Sequence, residues 1–494
     1  MKLREILCGL ALLGATCGVA VRAQGQNPNP QPAGSAAYNS STSPAGLGGN
    51  YAQRPAAAAR GVSSPDSSVP YDPSQVIPDT NTLAGAQLFG VGSLGRAHNI
   101  FDLSLSVSEL GQTYPSTAGQ TNQSNLSSTS IASGGLNFNR TWDRYHFSAN
   151  YSGGETFIQG YEYLNTPFHD LTVMQEISWA RWHLLLRDDF IASPGAAFTG
   201  TGMGGPGLIG QLPTTSVSSL GGIGQGIAPG ETIQTGNAMR YQNSAVGQLE
   251  YSFSRRSAFT VSGSYGLLQF STAGYFSSHM LNAQAGYDFM LDPADSIALI
   301  ANYGKIDYSG TSDSTSTYTA ALAYGRKITG RWAFQVEAGP AQIHNAIGAS
   351  AYQIWYASVN SALTYQGRRA GYSLSFMRGL GSGSGVVQGA ENNTLTLAAH
   401  YQFSRHWTGS FHGGYAINNS LSIAGSPTVR FDNWFVGAGI GRQLWSHALF
   451  TFSYGAQRQN GPAVCPVGVV GGCGVNGLQQ TFGMTVNWHL RPNG

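Results

Sequence analysis

"FDLSLSVSEL" (Phe101–Leu110) alternates without a slip. Phe101, Leu103, Leu105 and Val107 share one parity, and Asp102, Ser104, Ser106 and Ser108 share the other. Side chains on a strand point to opposite faces with period two, so this stretch is a strand with one apolar and one polar face. In a soluble sheet the apolar face turns inward. In a barrel embedded in lipid it turns outward, and the polar face lines the lumen.

Composition favours the second case. Charged residues make up 10% of the 494, against about 25% in an ordinary soluble domain, while there are 67 glycines and 11% aromatics. Such a chain has too few Lys and Glu to disperse a conventional surface of this size. The formal net charge is +2 and no basic run occurs, which speaks against nucleic acid as a partner.

The chain opens with "MKLREILCGLALLGATCGVAVRAQ": Lys2 and Arg4, an apolar stretch from Ile6 to Val21, then Val21-Arg22-Ala23. That order reads as a secretory signal over residues 1–23. A lipoprotein reading of Cys17 fails because leucine stands one position too far ahead of it. No later segment offers 18 uninterrupted apolar residues, so no spanning helix is expected. Residues 24–80 are Pro, Ala, Ser, Gly and Asn with few large aliphatics, a composition that reads as a disordered periplasmic segment. Residues 81–96 lead into the first strand. After the signal, Cys465 and Cys473 remain, within "AVCPVGVVGGCGV". In an exported chain they read as a local disulfide. The rival metal site would be half a site, with no nearby His or carboxylate. No metal or cofactor is expected.

From about 97 to 490 the alternation recurs in 18 segments, which begin near residues 97, 128, 145, 169, 182, 240, 257, 276, 296, 314, 331, 351, 369, 390, 407, 429, 447 and 478. The connectors alternate as well. One set is short ("TWDR", "SRRS", "LDPADS", "KITGR", "GRRAG", "SRHW"), and the other is longer and rich in Gly, Ser, Thr and Asn. Around the short set stand Trp142, Tyr145, Trp179, Trp182, Phe253, Phe259, Trp332, Tyr365, Tyr372, Phe403 and Trp407, with arginines at Arg144, Arg181, Arg255, Arg256, Arg331, Arg368, Arg369 and Arg405. Aromatic rings with a polar edge collect at membrane interfaces.

On these features the 97–490 stretch resembles a Gram-negative outer-membrane β-barrel of porin-like architecture. The resemblance implies an all-β, antiparallel, up-and-down transmembrane barrel of 16–18 strands in the cell outer membrane. It also implies lipid, lipopolysaccharide and the barrel-insertion machinery as partners, and a homotrimer. The last segment, "TFGMTVNWHL", places Phe482, Met484, Val486, Trp488 and Leu490 on one parity. It departs from the usual terminal aromatic because "HLRPNG" follows Trp488.

The inward parity is small and polar: Ser104, Ser106, Ser148, Asn150, Thr260, Ser262, Ser264, Asn282, Gln284, Asn302, Thr394, Thr396, Thr408 and Ser410. Such a lumen suits a passive channel for small hydrophilic solutes. One connector, 191–237, is far longer than the others, and a connector of that size is expected to be functional or disordered. By strand order it is the third long loop, and the resemblance to porins implies that it bends inward and narrows the pore. Scarce charges stand close by on inward positions: Glu176, His183, Arg187, Asp189 and Glu250. They read either as a filter across a constriction or as braces of the wall. Two further readings are an export barrel for a secreted polysaccharide and a plugged surface-structural or adhesive barrel. Gly200, Gly202 and Gly205 satisfy G-x-G-x-x-G, but Pro206 follows and no βαβ unit surrounds them, so the match is chance. His146, His183, His400, His412 and His489 fall on inward positions. No spacing joins one of them to a particular serine and an orienting group, so an enzyme is not expected.

Overall fold

A strand with one apolar and one polar face cannot stand alone, and in lipid its backbone groups need partners on both edges. This chain meets that demand by closure. The computed structural model describes residues 37–38, 100–113, 126–142, 144–158, 165–194, 235–236, 239–271, 274–329, 331–347, 350–367, 369–381, 385–421, 429–461 and 477–490. The signal, the 24–80 segment apart from residues 37–38, the 81–96 lead-in, the interior of 191–237, and Cys465 and Cys473 lie outside the described residues. A two-residue pairing of Ala37–Tyr38 with Thr235–Gly236 forms a separate small sheet.

All 18 long strands belong to one closed antiparallel barrel. In chain order they are β1 (Ile100–Thr113), β2 (Leu126–Trp142), β3 (Tyr145–Ile158), β4 (Thr166–Ser178), β5 (Trp182–Pro194), β6 (Met239–Ser252), β7 (Ser257–Phe270), β8 (Ser278–Met290) and β9 (Asp295–Tyr308). They continue with β10 (Ser314–Lys327), β11 (Trp332–Ile347), β12 (Ser350–Gln366), β13 (Ala370–Gly381), β14 (Ala390–Gln402), β15 (Trp407–Ser420), β16 (Arg430–Trp445), β17 (Ala448–Asn460) and β18 (Gly477–His489). Each strand start expected from parity lies within three residues of the observed one. The eight turns at one end hold two to four residues each. Connectors at the other end are longer, except between Ile347 and Ser350, where two long strands meet in a tight hairpin.

Closure joins the first strand to the last. Leu105 pairs with Trp488 and Val107 with Val486 across the seam. On the lumenal side of the seam His489 Nδ1 lies 2.9 Å from Asp102 Oδ2, and the Thr485 hydroxyl donates to Ser108 Oγ at 2.9 Å.

The apolar parity faces out. Leu105, Val107, Leu299 and Leu322 are 60–64% exposed, while their polar neighbours Ser106 and Ser108 are buried. Above the periplasmic aromatic row most strands carry four or five apolar outward positions before a polar one. At about 3.4 Å per residue and a tilt near 40°, that band stands roughly 21–26 Å tall, the height of a barrel's lipid-facing zone. The aromatic row itself is contiguous. Trp332 packs on Tyr365 at 4.9 Å, Tyr365 stacks on Tyr372 at 5.6 Å, and Arg140 and Arg442 sit over Trp142 and Trp407. A closed barrel with this exterior is an outer-membrane architecture.

The opening stretch also shows where a strand leaves the lipid. At Glu109 the outward parity turns polar: its carboxylate accepts from Ser128 and Ser130 on β2. At Leu110 the inward parity turns apolar, and Leu110 packs with Ile131 and Phe168 inside the upper barrel. The same outer edge carries Tyr151 with His169 at 2.9 Å, Tyr265 with His279 at 3.1 Å, and Lys305 paired with Asp307 at 2.7 Å.

Candidate functional site: the barrel lumen

The five charges singled out in the sequence all stand on the inward parity of three consecutive strands, β4–β6. They therefore occupy one wall and do not oppose one another across the lumen. They gather in two groups. Near the periplasmic end the Glu176 carboxylate lies 2.6 Å from His183 Nε2 and 3.4 Å from His146 Nδ1. Glu250 is the direct cross-strand partner of His183. Higher on the same wall Arg187 and Asp189 pair at 2.7 Å, and the Thr172 hydroxyl donates to Asp189 at 2.7 Å. Strand geometry dictates both groups. Residues i and i+2 share a face, which joins Arg187 to Asp189. The short β4–β5 turn at 179–181 brings Glu176 beside His183 across the hairpin.

Sequence reasoning missed three features. The first is the contact of the inward-facing His146 with Glu176, made through the β3–β4 register. The second is a pair on β11 and β12: Glu337 faces Asn360, and the Asn360 amide donates to the carboxyl. Parity in "WAFQVEAG" was signal enough, because Trp332, Phe334 and Val336 outside place Glu337 inside.

The third feature is the connector between β13 and β14. Pairing of β12 with β13 stops at Val359 and Arg378, although β12 runs on to Ser350. Above that point the top of β13 leaves β12 and tips into the barrel. Leu380, outward by parity, is buried in a cluster with Ile306, Tyr308 and Ile343. Val386 and Val387 pack with Ala390, Phe431, Tyr275 and Val429. Polar contacts pin the connector at three places. Gly385 O accepts from Phe276 N at 2.9 Å, Gly389 O accepts from Leu421 N at 3.1 Å, and the Gln388 amide donates to Asp313 at 2.8 Å. These partners belong to strands and loops as distant as β7–β8 and β15–β16. The connector thus crosses the extracellular mouth as an apolar cap. Gly385 and Gly389 have φ of +72° and +78°, and a Cβ on Gly385 would stand 2.3 Å from the Phe270 ring. The signal for the cap was an apolar Val386–Val387 pair inside a Gly/Ser connector.

The wall is two-sided. The arc from β14 through β18 to β2 presents amides and hydroxyls inward, among them Asn392, Asn418, Asn433, Gln457, Gln479 and Asn487, and the Gln457 amide donates to Gln479 at 2.7 Å. The arc from β4 to β11 is apolar in patches, with Met174, Leu185, Val246, Met280, Ile300 and Ile343.

Neither a protein-family model nor a curated protein matches the sequence. Solved structures similar to the chain include three from Pseudomonas aeruginosa. OccK2 (OpdF) in complex with glucuronate is 10% identical, with a TM-score of 0.39, over 80% of this chain and 100% of that one. The outer membrane protein OpdK is 11% identical, with a TM-score of 0.38, over 79% and 98%. OpdQ is 9% identical, with a TM-score of 0.40, over 79% and 97%. The lumen chemistry described above belongs to this chain's own residues.

Proposed function

We propose that the protein is an outer-membrane channel through which small hydrophilic solutes diffuse, and that its passage is narrowed from the extracellular side. The observation that carries this reading is the inward-tipped β13–β14 connector set above a polar lumen wall. The long segment 191–237 leaves β5 just above Arg187 and Asp189 and is proposed to narrow the same passage. The two charged groups on β4–β6 then act on solutes as they pass. The proposed partners are outer-membrane lipid and lipopolysaccharide on the polar outer edge, the insertion machinery on β18, and two further copies in a trimer.

The test is single-channel conductance of the refolded protein in a planar bilayer, with the intact chain, with residues 195–235 deleted, and with Val386 and Val387 both changed to Ser. Steady conductance that rises in either variant supports a constricted channel. Conductance only after the cap is loosened makes the connector a gate. Silence from all three folded proteins defeats the channel reading.

A further inference from the structure

We propose that the top of β13 is a strand zipper with two seats. In one it tips into the barrel and holds the connector across the mouth. In the other it pairs with the bare upper edge of β12, completes the wall and draws the connector off the passage. The inference rests on the channel reading and names a regulation for it.

The first observation is an edge. β12 runs from Ser350 to Gln366, but its ladder with β13 ends at Val359 and Arg378. Among the described residues no strand pairs with Ser350–Ser358 on that side, while β11 pairs with all of them on the other. Trp355 and Ala357 are exposed on the outward parity there, so this edge borders the lipid-facing zone, where backbone groups need a partner from protein. An open edge in an otherwise closed barrel is a template for one more length of strand.

The second observation is a length of strand that fits it. Gly379–Gly381 is extended and already pairs on its other side with Ala390–Asn392 of β14. Continuing the β12–β13 register by three residues sets Ser358 against Gly379, Ala357 against Leu380 and Tyr356 against Gly381. Parity agrees. Leu380 would join Ala357 on the lipid face, where an apolar side chain belongs, instead of the lumenal cluster with Ile306, Tyr308 and Ile343. In the tipped seat a side chain stands in for the absent ladder, because the Tyr356 hydroxyl is hydrogen-bonded to the Leu380 backbone. The ladder up to Gly381 and Ala390, and the Arg378–Glu391 pair at 2.9 Å, make β13 and β14 move as one hairpin. The two seats therefore exchange apolar burial of Leu380, Val386 and Val387 for main-chain hydrogen bonds along β12.

The test is a disulfide staple in the full-length refolded protein, Ala357→Cys with Leu380→Cys. It is read by cross-linking under oxidising conditions and by single-channel current in a planar bilayer. In the tipped seat one of these side chains is exposed outside the wall and the other is buried inside it. In the paired seat they face each other at strand spacing, within disulfide reach. The staple is expected to form, to raise the current, and to lose that gain when dithiothreitol reduces it. Gln353→Cys with Leu380→Cys, four residues out of register on the same face, is expected not to form. Absence of a cross-link in the folded Ala357→Cys, Leu380→Cys protein, or equal cross-linking of the out-of-register pair, overturns the zipper. A staple that forms and leaves the current unchanged overturns it too, and in each case the wild-type current keeps the channel reading. Should the first pair lose the heat-modifiable migration of a folded barrel, Tyr356→Cys with Gly381→Cys, the next facing pair, takes its place under the same outcomes. Should the wild-type protein carry no current, the channel reading fails and cross-linking alone decides the zipper. Register-specific cross-linking supports it, and its absence overturns it.

Discussion

Replacement of Gly385 by alanine should open the cap without unfolding the barrel. The residue sits at φ +72°, where an L side chain costs about 1–2 kcal/mol. The new Cβ would stand 2.3 Å and 2.6 Å from two ring atoms of Phe270. Moving that ring within a packed site costs about 1–3 kcal/mol more. Together these give roughly 2–5 kcal/mol against the inserted connector, a shift of about thirtyfold to several thousandfold in the ratio of inserted to released forms. The holding side is of similar size, because burial of Val386 and Val387 contributes about 1.5–3 kcal/mol each. One methyl group should therefore offset most of what keeps the mouth covered. Two readouts report on it: single-channel conductance, and the rate at which a membrane-impermeant maleimide labels a Val387→Cys reporter. Both should rise in Gly385→Ala while the barrel's melting temperature holds. Unchanged conductance together with unchanged labelling would refute the packing argument.

Three other outcomes are expected. Leu299→Arg places a charge on an outward position that is 64% exposed in the apolar band, and should lower folding stability in lipid vesicles by about 2–4 kcal/mol; a cost below 1 kcal/mol would mean that this face does not meet lipid. Glu176→Gln removes the carboxylate that binds two lumenal histidines, and reversal potentials in a salt gradient should move toward anions; movement toward cations would contradict its place in the ion path. In the β8–β9 turn the Asp292 carboxyl accepts backbone N–H groups from Ala294 and Asp295 at 2.7 and 2.8 Å, which hold its pKa below the ordinary 3.8. A folded-state value below the unfolded one stabilises above the unfolded pKa and loses that contribution as pH falls through the folded one. Unfolding midpoints of wild type and Asp292→Ala should therefore converge below pH 3.8; a constant gap down to the most acidic conditions would remove the turn from this account.

The barrel was legible because its rule is local. Period two, short turns at one end and aromatics beside them recur in every hairpin, and the strand starts follow from them. Within a hairpin, side-chain neighbours were legible too. Arg187 with Asp189 follows from parity, and Glu176 with His183 follows from a turn of known length. His146 with Glu176 was not legible, because the β3–β4 register passes through a longer connector whose length does not fix pairing. Nor does sequence show that the 385–389 stretch enters the lumen, because that depends on packing with Phe270, Tyr308 and Phe431, residues distant in the chain. Leu380 shows the same limit. Parity sends it outward, and only the tilt of the β13–β14 hairpin turns it in.

The seam has a consequence for how the molecule comes into being. Asp102 and His489 are 387 residues apart in sequence, and the ladder between β1 and β18 forms only when the final strand arrives. Until then β1 offers a bare edge, and no lipid can satisfy its backbone groups. Assembly is therefore all-or-none with respect to the last thirteen-residue strand: a chain that stops before Gly477 has every other hairpin and still no ring. Closure of the ring thus depends on one late segment finding one early one, and truncation before Gly477 is expected to prevent it.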